Sequence, residues 1–246
     1  MSSQPQLVLH VVPFSHPCLA VSAALDRLGY EYETVELATG RHQEEVEKAY
    51  GEGRRTVPGL LVDDEPVHGT AAIFARLDEL RPDAGLYSAA DGSAIREVEA
   101  GLAEDLQTAA RVLVFGALHF RPEAMGTFAG IAQLDPAGVD FAIKAMRATW
   151  RYLEIDAQRA HATLRALPGQ LDAVDVLLEQ GAIGGDRPNA ADFQLGSSLH
   201  LLVQIGDVRP LVEERPAARL LSLFEPGKGN VPAGAFPSGW TPSTRS

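Results

Sequence analysis

The stretch Leu7–Gly29 constrains this chain most. Leu7-Val8-Leu9-His10-Val11-Val12 is a short β-branched and apolar run, which reads as a buried strand ended by Pro13-Phe14. Ser15-His16-Pro17-Cys18 follows, and Val21, Ala24, Leu25 and Leu28 then recur at the spacing of one helix face. Pro17 suits the first turn, because proline presets φ where no amide hydrogen is needed. Gly29 suits the position just past the last turn. A strand therefore runs directly into a helix, with Ser15 and His16 at the helix mouth. The first amides of a helix lack internal partners, and the macrodipole leaves partial positive charge there, so an anion is stabilised at such a point. Ser15 adds a hydroxyl. The plainer reading, that Ser15 only caps the helix, stays open on this segment alone.

Size and charge narrow the classes. With 246 residues, 46 % apolar and 22 % charged, the chain reads as one large or two medium soluble domains. A formal net charge of −12 argues against nucleic acid or an anionic membrane surface as partner. The single cysteine, Cys18, allows no internal disulfide and fits a reducing, cytoplasmic setting. No signal peptide is read at the N-terminus, and no apolar run is long enough for a bilayer.

Beyond Gly29, Tyr30–Leu37 reads as a second strand, completing a βαβ unit with parallel strands. Gly40–Gly53 reads as a short polar surface helix, with Val46 and Tyr50 four apart and Glu44, Glu45, Glu47 and Lys48 facing solvent. Leu60-Leu61-Val62 is a third strand, Asp63-Asp64 a turn, and Glu65–His68 an antiparallel edge strand. Gly69-Thr70 opens a helix with Ile73, Phe74, Leu77 and Leu80 on its buried face, stopped by Arg81-Pro82. Asp83–Gly92 reads as a linker. The rest reads as helices: Ser93–His119; Asp135 to about Leu167, with Phe141, Ala145, Met146 and Leu153 on one side; Leu171–Gln180; and Asn189–Ile205, capped by Asn189 and Asp192. From Glu225 prolines and glycines leave only an extended tail, in which Phe236 and Trp240 argue for docking as strongly as the composition argues for disorder. There are no internal repeats.

The order strand, helix, strand, helix, strand, strand, helix resembles the thioredoxin-like half of the glutathione transferases. Ser15-His16-Pro17-Cys18 stands where thioredoxin-like proteins carry a two-cysteine motif. Thr56-Val57-Pro58 resembles the cis-proline turn, and His68-Gly69-Thr70-Ala71-Ala72-Ile73 the stretch that usually reads Glu-Ser or Gln-Ser. Asn189-Ala190-Ala191-Asp192 resembles the downstream capping motif, and Arg215-Pro216-Ala217-Ala218 the start of a late helix. The resemblance implies an α/β thioredoxin-like glutathione-binding domain over 1–82, an all-α helical domain over 93–224, and a Pro/Gly-rich tail over 225–246. It also implies a homodimer, glutathione as co-substrate with no metal, and an electrophilic small molecule as the second substrate, as in detoxification.

The implied site can be weighed residue by residue. A free thiol has a pKa of about 8.5, and lowering it by two units takes ~2.7 kcal/mol. A hydrogen bond to a charged group contributes about 1.5–3 kcal/mol and a helix start about 0.3–2. Ser15 with the amides behind it therefore suffices in principle, as donor to a thiolate rather than as nucleophile. Val57 would present backbone amide and carbonyl beside a cis Pro58. Thr70, at another helix start, would take the γ-glutamyl carboxylate. Gly69 stands where an acidic or amide side chain is usual, a departure that weakens the contact to the ligand's amino group. His16, His42 and Arg55, with Arg54, are further contacts for an anionic ligand, against a solvated-surface reading. Phe115, Phe120 and Trp150 are candidates for lining the electrophile pocket. Two rivals stand beside a transferase: a non-catalytic binding protein on the same scaffold, and a thiol-dependent reductase or lyase using Cys18. A zinc site from His10, His16 and Cys18 has no supporting spacing.

Overall fold

The computed structural model describes residues 4–38, 41–87 and 92–243. The chain divides into two compact units: 1–100 with 182–197, and 101–181 with 198–246.

The first unit is built on a four-stranded sheet of order β2-β1-β3-β4. β1 is Leu7–Val11, β2 Glu33–Glu36, β3 Gly59–Val62 and β4 Glu65–His68. β1 and β2 run parallel, with the expected crossover through α1 (His16–Leu28). β1–β3 and β3–β4 are antiparallel. Asp63 and Asp64 both have positive φ, 50° and 68°, which is the type I′ geometry that closes a two-residue hairpin. Pro66 is tolerated because β4 is an edge. Leu7, Leu9, Leu60 and Val62 are buried in the two-residue alternation the sequence shows. α1 ends as expected: Gly29 is left-handed (φ 68°), with its amide and that of Tyr30 returned to the last turn. α2 (His42–Tyr50) inserts Val46 and Tyr50 among Val12, Val35, Leu37, Val57 and Leu61. α3 (Thr70–Leu80) buries Ile73, Phe74 and Leu77 and packs on α1 and β3. Arg81, just beyond it, donates to the Leu28 carbonyl and lies 4.9 Å from the Tyr30 ring centroid, fastening the ends of α1 and α3 together.

The strand over Tyr30–Leu37 is shorter than expected, with only 33–36 paired. Residue 40 of the expected surface helix and residues 88–91 of the expected linker lie outside the described residues, as do residue 39 and the last three. The single helix expected over Ser93–His119 is α4 (Gly92–Val98), a π turn over Glu99–Ala103, and α5 (Glu104–Phe120). Glu99 explains the interruption. It is a buried carboxylate in the first unit that accepts from Tyr87 Oη at 2.7 Å and from the Gln194 side-chain amide. Arg96 lies over the Tyr87 ring, 3.9 Å from its centroid.

The second unit holds α5, α6 (Met125–Phe128), α7 (Pro136–Tyr152), α8 (Ala157–Glu179) and α10 (Arg209–Glu213). α9 (Ala190–Leu202) runs from the first unit into the second. The helix expected from Asp135 to about Leu167 breaks earlier, at 153–156. Glu154 takes φ 51°, Ile155 returns its amide to Trp150 at 2.8 Å, and Asp156 caps α8 by accepting from Arg159 N at 2.7 Å. α8 then continues through Pro168, so the separate helix expected at 171–180 is its second half. Phe141 is 75 % exposed: of α7's side chains only Trp150 is buried, and its Nε1 donates to the Phe115 carbonyl at 3.1 Å. α5 and α8 pack together. Arg215 donates to Asp172 Oδ1 at 2.6 Å and Asp175 Oδ2 at 3.0 Å, and Asp175 Oδ1 accepts from Ala217 N at 2.9 Å.

The tail docks. Val231 bridges to Ile205 in parallel, Asp207 accepts from the amides of Gly234, Ala235 and Phe236, and Arg121 donates to the carbonyls of Pro232 and Ala233. The Phe236 and Trp240 rings both meet Phe120 edge-on, and Trp240 stacks on His161 at 4.6 Å.

Candidate functional site

The sheet register dictates what can meet. His10, Gly59 and His68 form one row across β1, β3 and β4. The chain leaves that edge three times: from β1 into Ser15 and α1, from Pro58 into β3, and from β4 into Gly69 and α3. Three of the residues singled out from sequence, Ser15, Pro58 and Thr70, thus depart from one edge of one sheet.

Ser15 is the N-cap of α1 (φ −78°, ψ 107°). Its Oγ accepts from Cys18 N at 3.4 Å, and the first turn contains no acidic residue. Phe14 before it has φ 63° and is 60 % exposed. The capping reading is thus correct as far as it goes. A hydroxyl that accepts one amide still holds a proton to donate, so capping and donation are compatible. His16 is buried at the start of α1. Cys18 is 3 % exposed, and burial pushes its thiol up to about 11, against smaller opposing effects of the Ser15 hydroxyl and the Val12 backbone. It stays a neutral thiol near pH 7.

The Val57–Pro58 peptide is cis. Pro58 is buried, and its carbonyl accepts from Gly69 N at 3.1 Å, tying the turn to the start of α3. Gly69 has φ 89° and ψ 150°, a region open essentially to glycine alone. A Cβ there would meet nothing within 4 Å, so backbone geometry and not space selects glycine. Thr70 is the first residue of α3, which has neither a side-chain cap nor an acidic residue in its first turn. Two helix starts without acid thus flank the cis-proline turn.

The basic candidates are placed differently. Arg55 is exposed and pairs with Glu47 at 3.6 Å, while Arg54 donates to the Tyr50 carbonyl at 3.0 Å. His42 lies at the start of α2, where burial lowers its affinity for a proton. Among the described residues there is no group of three or more His, Cys, Asp or Glu side chains suited to a metal, and no helix is long and apolar enough to cross a membrane.

Residues 9–85 match the family profile described as Glutathione S-transferase, N-terminal domain. The N-terminal part of the chain is therefore similar to that domain of the glutathione S-transferases. Its fold is that of solved transferases: one from Methylobacterium radiotolerans in complex with glutathione sulfonate is 19 % identical, covering 98 % of each chain at TM-score 0.57. A glutathione S-transferase from Rhodospirillum rubrum is 18 % identical, covering 94 % of this chain and 98 % of its own at TM-score 0.57. The β-etherase LigF from Sphingobium sp. strain SYK-6 is 17 % identical over 80 % of this chain and 84 % of its own, at TM-score 0.56. A comparison with curated proteins found no match. The fold of these transferases is therefore this chain's fold.

Sequence reasoning missed one cluster beside the site. Tyr50 of α2 lies over Gly59, where an added Cβ would sit 2.3 Å from the ring. Its Oη meets His10 Nδ1 at 2.6 Å, its ring centroid is 5.8 Å from that of His68, and His68 Nε2 meets the Thr56 carbonyl at 2.7 Å. The available signal was two histidines and a glycine at positions that pair across three strands.

Proposed function

We propose that this chain is a glutathione transferase in which Ser15 donates a hydrogen bond from its hydroxyl to the sulfur of bound glutathione and holds it as thiolate. The observation that carries this reading is the Ser15 cap: its oxygen is engaged by Cys18 N, the neighbouring Cys18 is held as a neutral thiol by burial, and the helix start it closes has no acidic residue to repel an anion. The main chain of Val57 receives the cysteinyl unit beside the cis bond. Thr70, at the uncapped start of α3, receives the γ-glutamyl carboxylate. His16 and Arg55 are secondary contacts, and Arg55 must leave Glu47 to act as one. Glutathione-bound transferases of the same fold support this choice of ligand.

In the reaction, the thiol proton goes to solvent on binding. The sulfur then supplies both electrons of the new S–C bond to the electrophile, and the leaving group departs with the pair that bound it. Where the electrophile is an activated double bond, that pair moves onto the acceptor end, which is protonated by water. Ser15 keeps its proton throughout. No metal takes part in this scheme. The protein is read with it as a cytoplasmic homodimer acting on foreign or reactive small molecules, and sizing chromatography at micromolar concentration tests the dimer.

Turnover of an activated aryl halide with glutathione, compared between the native chain and Ser15→Ala, tests the reading. The alanine variant is expected to lose at least tenfold in kcat, corresponding to ~1.4 kcal/mol, with the thiolate absorbance of bound glutathione falling in parallel. Equal turnover would remove Ser15 from the mechanism.

The buried, neutral Cys18 argues against the reductase or lyase reading. A second reading, a binding protein without turnover, draws on Gly69, which removes a side chain that would face the ligand's amino group. Calorimetry that detects binding with no conjugation of any aryl halide or enone would favour it.

A further inference from the structure

We propose that His68 is a positioning residue for the glutathione site, one that fixes the Thr56–Pro58 turn and so sets the affinity for the ligand, a proposal that rests on the reading of Val57 given above. Val57 packs against the cluster that holds Tyr50 and Pro58 is buried, but Thr56 is exposed, and the side chains of Arg54 and Arg55 before it turn back to α2. Two hydrogen bonds hold the turn to the β4–α3 junction. Gly69 N donates to the Pro58 carbonyl, and His68 Nε2 donates to the Thr56 carbonyl at 2.7 Å. The two bonds bracket Val57 on either side.

The imidazole is held for this task from behind. Tyr50 is 3 % exposed and can lie over the sheet only because position 59 has no side chain. Its ring supports that of His68, and its own Oη is fixed by His10, the opposite member of the same sheet row. Tyr50 cannot ionise near neutral pH, because burial holds the phenol well above the usual range. The contact with His10 therefore persists through the physiological range, and His68 Nε2, facing a carbonyl that can only accept, is the donor. The outcome is a preorganised main-chain surface at Val57, reached without ordering a loop on binding.

Three proteins separate this role from general stability: the native chain, His68→Phe, which keeps an aromatic ring against Tyr50 but has no donor, and His68→Gln, whose amide nitrogen can reach the same carbonyl. Glutathione is titrated calorimetrically into each, and hydrogen exchange is followed at the Gly69 amide. His68→Phe is expected to raise the Kd for glutathione about tenfold and to speed Gly69 exchange. His68→Gln is expected to return both to within about threefold of native, a rescue that loss of packing would not give. Native-like affinity and exchange in His68→Phe would overturn the positioning role while leaving the glutathione site intact. Absence of glutathione binding by the native chain would instead overturn the reading of the site, and the proposal with it.

Discussion

Asn189 and Asp192 cap one another at the start of α9: Asn189 Oδ1 accepts from Asp192 N at 3.1 Å, and Asp192 Oδ2 accepts from Asn189 N at 2.8 Å. Asp192 is fully buried, and its second oxygen accepts from Gly184 N in the loop before the helix. One carboxylate thus closes a helix and pins the loop that leads into it.

Replacing Asp192 by alanine leaves two main-chain donors without that acceptor inside the first unit. An unsatisfied buried donor costs about 1–3 kcal/mol and a lost cap about 0.5–2, so Asp192→Ala is expected to lose ~3 kcal/mol in urea unfolding. Asp192→Asn, which keeps one acceptor oxygen, should lose less. A midpoint unchanged in the alanine variant would show that the reciprocal cap contributes nothing.

Glu99 gives the first unit a pH signature. Burial raises its carboxyl above the usual glutamate range, opposed by smaller effects of Tyr87, Gln194 and Arg96. The unfolded chain ionises Glu99 at lower pH than the folded one does. Folding therefore takes up a proton between the two values, and the contribution of Glu99 falls as pH rises through that window. Glu99→Gln has nothing to titrate there and keeps an oxygen for Tyr87 and Gln194. The stability of the native chain minus that of Glu99→Gln is expected to decline from about pH 4 upward, levelling once the folded carboxyl is ionised. Parallel stability profiles for the two proteins would contradict this.

Cys18 should be a slow thiol. With its pKa near 11 and 3 % exposure, it holds at neutral pH ~100-fold less thiolate than an ordinary cysteine. Alkylation by iodoacetamide is expected to climb about tenfold per pH unit well beyond pH 9 in the folded protein, and to be fast in urea. A plateau near pH 8 in the native state would place the thiol elsewhere than in the α1 core.

Much of this was legible in the residues. The β1–α1 unit, the β3–β4 hairpin and α3 follow from short, strongly patterned segments bounded by Gly29, Asp63-Asp64 and Arg81-Pro82. The less legible features depended on tertiary partners. Glu99 departs from the α pattern because Tyr87 and Gln194, distant in sequence, supply its hydrogen bonds. Pro168 reads as a breaker, yet α8 absorbs it, while the true break sits at Glu154, a residue with no turn signature. Phe141 shares a helix face with residues that the fold leaves at the surface. At the candidate site, Ser15 could be named from the strand-to-helix pattern and Pro58 and Thr70 from the family resemblance, whereas the support that Tyr50 and His10 give His68 depends on which strands become neighbours.

The three consecutive amides gathered by Asp207 turn the last segment of the chain into a structural part of the second unit. A shortened version of the gene stopping at Glu225 would strip Val231, Ala235 and Phe236 from the interior and leave the Phe120 ring wet. The ending that composition alone would suggest discarding for crystallisation is thus one to keep.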